Sequence, residues 1–248
     1  MIQRGRGQRA ALRGAVSPRS EGRSSPLLLR SFGEAEKSAG APGEASSKKR
    51  RSQSAGAPGF SKGDSRTIVL GVTGGIACYK SCDLINRLRD DGWDVLVVMT
   101  KESKAFITPL TLQALSGHQV FDDLLHPVAG WDPIHTTLAE RAALVLVSPA
   151  TANLIGKIAH GLCDDLLSCV ITATEAPVVF VPAMNDAMYR KRAVQENIAL
   201  LTRRGYRFVP PTRGHLVCRT EGIGHVAEVE TIVSEVRRIA GGSRQRAR

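Results

Sequence analysis

The chain has 248 residues with 34 Lys+Arg against 23 Asp+Glu, a formal charge of +11, and residues 1–64 alone carry 13 basic against 5 acidic groups. That leaves 21 against 18, only +3, for the remainder, so the basic charge argues against a folded nucleic-acid-binding face. No apolar run approaches the ~20 residues that span a bilayer, which argues against a membrane protein, and the odd set Cys78, Cys82, Cys163, Cys169 and Cys218 lacks the CxxC pairs of a metal site or disulfide framework. Reduced thiols in a cytoplasmic setting are expected.

The first segment, rich in Arg, Ser, Gly, Ala and Pro, has no sustained apolar period. Residues 1–64 are therefore expected to form a disordered basic tail, because such a stretch buries too little surface to offset chain entropy. A transit peptide, a basic interaction arm and an upstream stretch translated from a misplaced start codon all remain open readings. KKRR (48–51) is a weak nuclear-signal match.

From Thr67 onward strands and helices alternate. TIVLGV (67–72) predicts a strand broken by Gly74-Gly75, and the 3.6-residue period of 76–92 predicts a helix ending at Gly92. WDVLVVMT (93–100) predicts a strand, and TPLTLQALSG (108–117) a helix with Pro109 in its first turn and Gly117 as its stop. After a loop around HPVAGWDP (126–133) and a short helical stretch comes the strand AALVLVSPA (142–150). Two helices, 151–162 and 164–174, precede the strand APVVFVPA (176–183); YRFVPP (206–211) follows, and a helix over 227–239 closes the pattern. Near-continuous apolar strands between helices predict a single doubly wound α/β domain, Rossmann-like or flavodoxin-like, over 65–240, with a parallel sheet covered on both faces and a short basic tail at 241–248.

Such sheets bind ligands outside the carboxyl ends of their strands. Four strand ends carry unusual residues: VTGGIA (72–77), MTKES (99–103), SPATAN (148–153) and PAMN (182–185). Glycines 71, 74 and 75 do not make the GxGxxG fingerprint; they suit either a tight turn or close approach of backbone to a ligand. Ser148, Thr151 and Asn153 place donors and an N-cap before an apolar helix, a good phosphate seat, although capping alone explains Thr151 or Asn153. One phosphate and one flat ring would satisfy both loops, which favours a mononucleotide over a dinucleotide. His135, at a helix start after a long loop, is the histidine best placed to enter a pocket, with a structural role as the alternative. Cys218, beside Arg219, is reactive if exposed to that cation and inert if buried.

Taken in order, GVTGGIACYK, TKESKAFITPLTLQALSG, PIHTTL, SPATANLIGKIAHGLCDDLLS, PAMNDAMY and LVCRTEGIGHVAE resemble the homo-oligomeric flavin-containing cysteine decarboxylases, most closely the phosphopantothenoylcysteine decarboxylase branch. The likeness covers essentially all of 66–238 and none of the tail. It implies FMN held by Gly74, Gly75, Ile76, Thr100, Ser103, Thr151, Ala152 and Asn153, with Ala183 against the flavin. It further implies His135 at the reacting centre, Asn185 gripping the substrate carboxylate with Met188 beside it, and Cys218 supplying a late proton. The implied reaction is decarboxylation of 4′-phospho-N-pantothenoylcysteine to 4′-phosphopantetheine in coenzyme A biosynthesis. Flavin oxidises the thiol, carbon dioxide leaves, and the enethiolate is reduced again. A peptidyl-cysteine decarboxylase and a non-catalytic, regulatory flavoprotein are the alternatives. The family resemblance also implies a homo-oligomer, a trimer or a multiple of trimers, and the early end of the chain implies a separate phosphopantothenate–cysteine ligase. Within the motifs, Tyr189 replaces a usual Trp and Arg219 a usual Gly.

Overall fold

A computed structural model describes residues 66–125, 133–215 and 221–246; the expected tail 1–64, the centre of the loop at 126–132, and Cys218 lie outside them. Strands β1 (Thr67–Val72), β2 (Asp94–Met99), β3 (Leu144–Ala150), β4 (Val178–Pro182) and β5 (Arg207–Phe208) form one parallel sheet in the order β2-β1-β3-β4-β5. This is the doubly wound order with its switch point between β1 and β3. A separate antiparallel pair joins β6 (Thr212–His215) to β7 (Glu221–His225). The helices are α1 (Lys80–Asp90), α2 (Pro109–Ser116), α3 (Ile134–Arg141), α4 (Ala152–Ala159), α5 (Leu166–Ala173), α6 (Asp186–Tyr189), α7 (Arg192–Arg203) and α8 (Val229–Arg246).

The strands are apolar throughout because both faces are covered. Ile68, Leu70, Val97 and Leu146 belong to one core with Leu84, Ile85 and Leu88 of α1 and Ile232, Val233 and Val236 of α8. Val69, Leu96, Val147 and Phe180 belong to the other, with Leu138 of α3, Ile155 of α4, Leu167 of α5 and Leu201 of α7. Period-two alternation along β1 thus feeds two separate cores. At Gly71 an added Cβ would lie 2.5 Å from Leu167 Cδ1, so the missing side chain is what lets α5 lie close on β1.

The helix expected over 76–92 divides in two. Ile76–Tyr79 winds as a tighter 3-10 turn, with Cys78 N–H donating to the Gly75 carbonyl at 3.0 Å and the Cys78 thiol donating to the Thr73 carbonyl at 3.0 Å, before α1 begins. Gly92 and Gly117 take left-handed backbone, φ +79° and +76°, at the two helix stops read from sequence. Four elements were not anticipated: a 3-10 turn at Lys101–Ala105, the short α6, α7, and the β6–β7 hairpin. The last helix continues past 239 to Arg246, so the backbone of 241–246 is helical. Among the described residues no helix is long and apolar enough to cross a membrane.

Candidate functional site

The loops leaving β1, β2, β3 and β4 converge on one cavity of about 670 Å³. That size is within the range of small-molecule sites. The switch-point geometry explains the location, since chains leaving β1 and β3 diverge to opposite faces and open a crevice between them. Thr73 holds the two strand ends in register: its Oγ1 donates to the Pro149 carbonyl at 2.7 Å and accepts from Thr151 N–H at 3.1 Å. The β1 and β2 loops meet where Gly74 lies against Glu102, so closely that a Cβ there would overlap the Glu102 side chain.

Most of the residues singled out in the sequence line this cavity. Gly74, Gly75 and Ile76 form its β1 side, Thr100 its β2 side, and Thr151, Ala152 and Asn153 its β3 side. Ala183, Asn185 and Met188 come from the β4 side. Thr151 is the N-cap of α4, its Oγ1 accepting from Leu154 N–H at 3.4 Å, and the first turn of that helix presents its N-terminal N–H groups at the cavity wall. Thr100 Oγ1 is buried with no hydrogen-bond partner among the described residues. A buried hydroxyl left in this state at a cavity wall is suited to a ligand atom. Asn185 Oδ1 accepts from Ala187 N–H at 2.9 Å in the first turn of α6, which holds this neutral amide at the cavity wall.

Two described residues are placed elsewhere. Ser103 is fully buried behind the wall, and its hydroxyl donates to the Thr100 carbonyl at 2.7 Å, shaping the turn that carries Thr100. His135, half-buried in the first turn of α3, does not line the cavity of its own chain, and its Nδ1 is buried without a partner among the described residues.

Thr73 and Glu102 lie in strand-end loops expected at the pocket but were given no role, and sequence reasoning missed Asp165, Gly224 and Val226 as cavity residues. Asp165 was legible in part, because D-L-L-S is a capping signature. Its Oδ1 accepts from Ser168 N–H at 2.8 Å, and Ser168 Oγ accepts from Asp165 N–H at 3.1 Å. Burial opposes ionisation of Asp165, but Lys157 Nζ at 2.8 Å and the Ser168 N–H outweigh it and hold the carboxyl below the usual carboxylate range. Gly224 and Val226 belong to the hairpin segment, whose strand character the sequence does not announce.

A doubly wound sheet with one open crevice at its switch point, a helix N-terminus at one wall and a neutral amide at another defines a mononucleotide-binding α/β protein. Within that class the chain belongs to the Flavoprotein family, whose model matches residues 60–241. It is 49% identical over 169 residues to the coenzyme A biosynthesis bifunctional protein CoaBC of Vibrio vulnificus (strain YJ016), covering 68% of this chain and 42% of the relative. The CoaBC of Escherichia coli (strain K12) is 49% identical over 168 residues, covering 68% and 41%. The chain thus spans about two fifths of the length of these relatives. Among solved structures, a PPC decarboxylase mutant complexed with pantothenoylaminoethenethiol is similar with a TM-score of 0.62 and 29% identity, covering 69% of this chain and 96% of that one. The FMN-dependent cysteine decarboxylase SpaF is similar with a TM-score of 0.63 and 30% identity, covering 71% and 97%.

Proposed function

We propose that this chain is an FMN-dependent carboxy-lyase that converts 4′-phospho-N-pantothenoylcysteine to 4′-phosphopantetheine in coenzyme A biosynthesis. The observation that carries the reading is the single cavity in which the Gly74-Gly75 turn, the N-terminus of α4 and the Asn185 loop meet. The CoaBC relatives and the PPC decarboxylase neighbour support the choice of pathway and substrate.

The residues suit the cofactor. The N–H groups at Ala152 and Asn153 would take its phosphate, the unpartnered Thr100 hydroxyl would take a polar atom of the ribityl chain, and Ala183 leaves room for a flat ring. Bound flavin supplies the two-electron sink that a cysteine carboxylate lacks on its own. Everything else is work for side chains. Asn185 N–H₂ orients the substrate carboxylate as a neutral donor, where a cationic clamp would stabilise the departing anion in the ground state. Met188, 48% exposed at the rim, gives a polarizable apolar contact beside the thiol. His135 steadies the charge or takes the proton of the reacting thiol, and Cys218 donates the closing proton.

Because His135 stands outside its own cavity, the reading includes a homo-oligomer, a trimer or a multiple of trimers, in which the imidazole serves a neighbouring copy's site. It also includes a reducing, cytoplasmic setting, which keeps the substrate thiol available. The substrate is itself the product of an amide-forming ligation of cysteine, supplied by another domain or another protein.

Purified full-length protein is expected to be yellow, to release FMN on denaturation, and to convert the phosphorylated substrate to a product lighter by one carbon dioxide, read by mass spectrometry. A colourless protein overturns the cofactor assignment, and a yellow one without turnover overturns the substrate. The Gly75 position supplies a finer check. Its φ of −170° is extended backbone open to any residue, and a Cβ there meets no protein atom within 4 Å, yet the residue lines the cavity. Gly75→Ala is therefore expected to change stability by under ~0.5 kcal/mol while weakening FMN binding about tenfold, measured by thermal denaturation and flavin fluorescence titration.

A further inference from the structure

Gly224 and Val226, at and just past the end of β7, line the cavity beside the loop that carries Asn185, in a strand that the sequence pattern does not announce. Two hydrogen bonds fasten this wall to that loop. Met184 N–H donates to the Gly224 carbonyl at 3.0 Å, and Ile223 N–H donates to Asp186 Oδ1 at 2.8 Å. The same oxygen receives Arg190 Nε at 3.0 Å, one helical turn further on.

The approach is backbone on backbone, and the glycines permit it. A Cβ on Gly222 would lie 2.6 Å from Asp186 Cβ, and one on Gly224, which has φ +149°, would overlap the Met184 carbonyl oxygen. Ile223 directs its N–H away from β6, because Arg213 and Ile223 stand opposite each other in the ladder while the Ile223 donor is used by Asp186. The carboxylate is held below its usual range first by the Ile223 N–H and then by Arg190, with Arg213 adding a further positive charge. At neutral pH it is therefore an acceptor only, suited to holding two donors at once.

We propose that Asp186 is a positioning residue that latches β7 onto the Asn185 loop and so fixes two adjoining parts of the cavity wall against each other. Asp186 follows Asn185 directly, and Asn185 caps the same short helix, α6, in which Asp186 is the first residue. One side chain thus aligns the Asn185 amide with the strand that adjoins it at the cavity wall. The consequence for turnover rests on the decarboxylase reading, whereas the latch itself does not.

The test is hydrogen–deuterium exchange on the full-length FMN-loaded protein, followed by mass spectrometry of peptides covering 221–226 and 94–99, with Asp186→Ala and Asp186→Asn as variants. Loss of a charge-assisted hydrogen bond is expected to speed exchange at 221–226 about tenfold in Asp186→Ala and to leave 94–99 unchanged. Asp186→Asn, whose amide oxygen still accepts from Ile223 N–H, is expected to recover most of that protection. The KM for the phosphorylated substrate is expected to rise about tenfold in Asp186→Ala with bound flavin unchanged, since a misplaced wall weakens substrate positioning. Unchanged exchange at 221–226 overturns the latch, as does acceleration spread equally over 94–99, or a failure of Asp186→Asn to recover protection. If the exchange pattern holds in a protein that does not turn over the substrate, the latch stands and the functional reading fails.

Discussion

Asn185→Asp is expected to lower kcat/KM about a thousandfold while leaving the fold and the bound flavin intact. The two halves of this expectation come from different atoms of one side chain. Asn185 Oδ1 accepts from Ala187 N–H and caps α6, and an aspartate oxygen makes the same cap about as well. The cap on α6 therefore survives. What changes is the other end of the amide, where N–H₂ becomes a second oxygen carrying negative charge. If that end meets the substrate carboxylate, a donor is replaced by a repelling anion inside a partly enclosed cavity. Loss of a hydrogen bond to a charged group combined with like-charge juxtaposition is on the order of 4 kcal/mol, or about three decades in rate. Asn185→Ala loses the donor without adding the charge, so its catalytic defect is expected to be smaller, but it also loses the cap, at about 1 kcal/mol of stability. Steady-state kinetics and the visible spectrum of the bound flavin, taken on both variants, separate the two effects. Near-normal turnover by Asn185→Asp removes Asn185 from the carboxylate.

The parallel sheet was legible because burial on both faces writes a run such as VLVVM without polar interruption, and helix stops were legible because Gly92 and Gly117 must adopt positive φ. The cavity was legible at the strand ends, where loop residues replace apolar ones. The hairpin was not. Gly222, Ile223 and Gly224 fit against a carboxylate and a carbonyl rather than against a core, so no alternation marks them as a strand. Helix α7 went unread for a different reason. Val194, Ile198 and Leu201 have helical spacing, but Lys191, Arg192, Arg203 and Arg204 flank them and Leu201 alone is fully buried, so the apolar stripe is narrow. Ser103 illustrates a limit of motif reading. The residue sits beside the cavity in sequence, yet its hydroxyl supports the backbone of Thr100 and does not reach the cavity wall.

His135 offers the second large effect, and the geometry makes it a question about assemblies. Ile134 and Leu138 bury α3 against the sheet, which fixes the helix and leaves the imidazole outside the cavity of its own chain with Nδ1 unpartnered among the described residues. On the proposed reading, the imidazole acts on a site built by another copy. His135→Ala alone is then expected to lose about a hundredfold or more in kcat, as for removal of a general acid–base group, and Asn185→Asp alone to be inactive for the reason given above. Co-assembled in equal amounts, the two inactive chains are expected to recover about one quarter of wild-type activity. In a closed ring each site would take one imidazole and one amide from different copies, and a quarter of random pairings join two intact residues. The fraction does not depend on the number of copies in the ring. If His135 served its own chain, every site would carry one defect and the mixture would stay inactive. Activity of mixed assemblies, measured after unfolding and refolding the two variants together and compared with the same variants refolded apart, decides between the two arrangements.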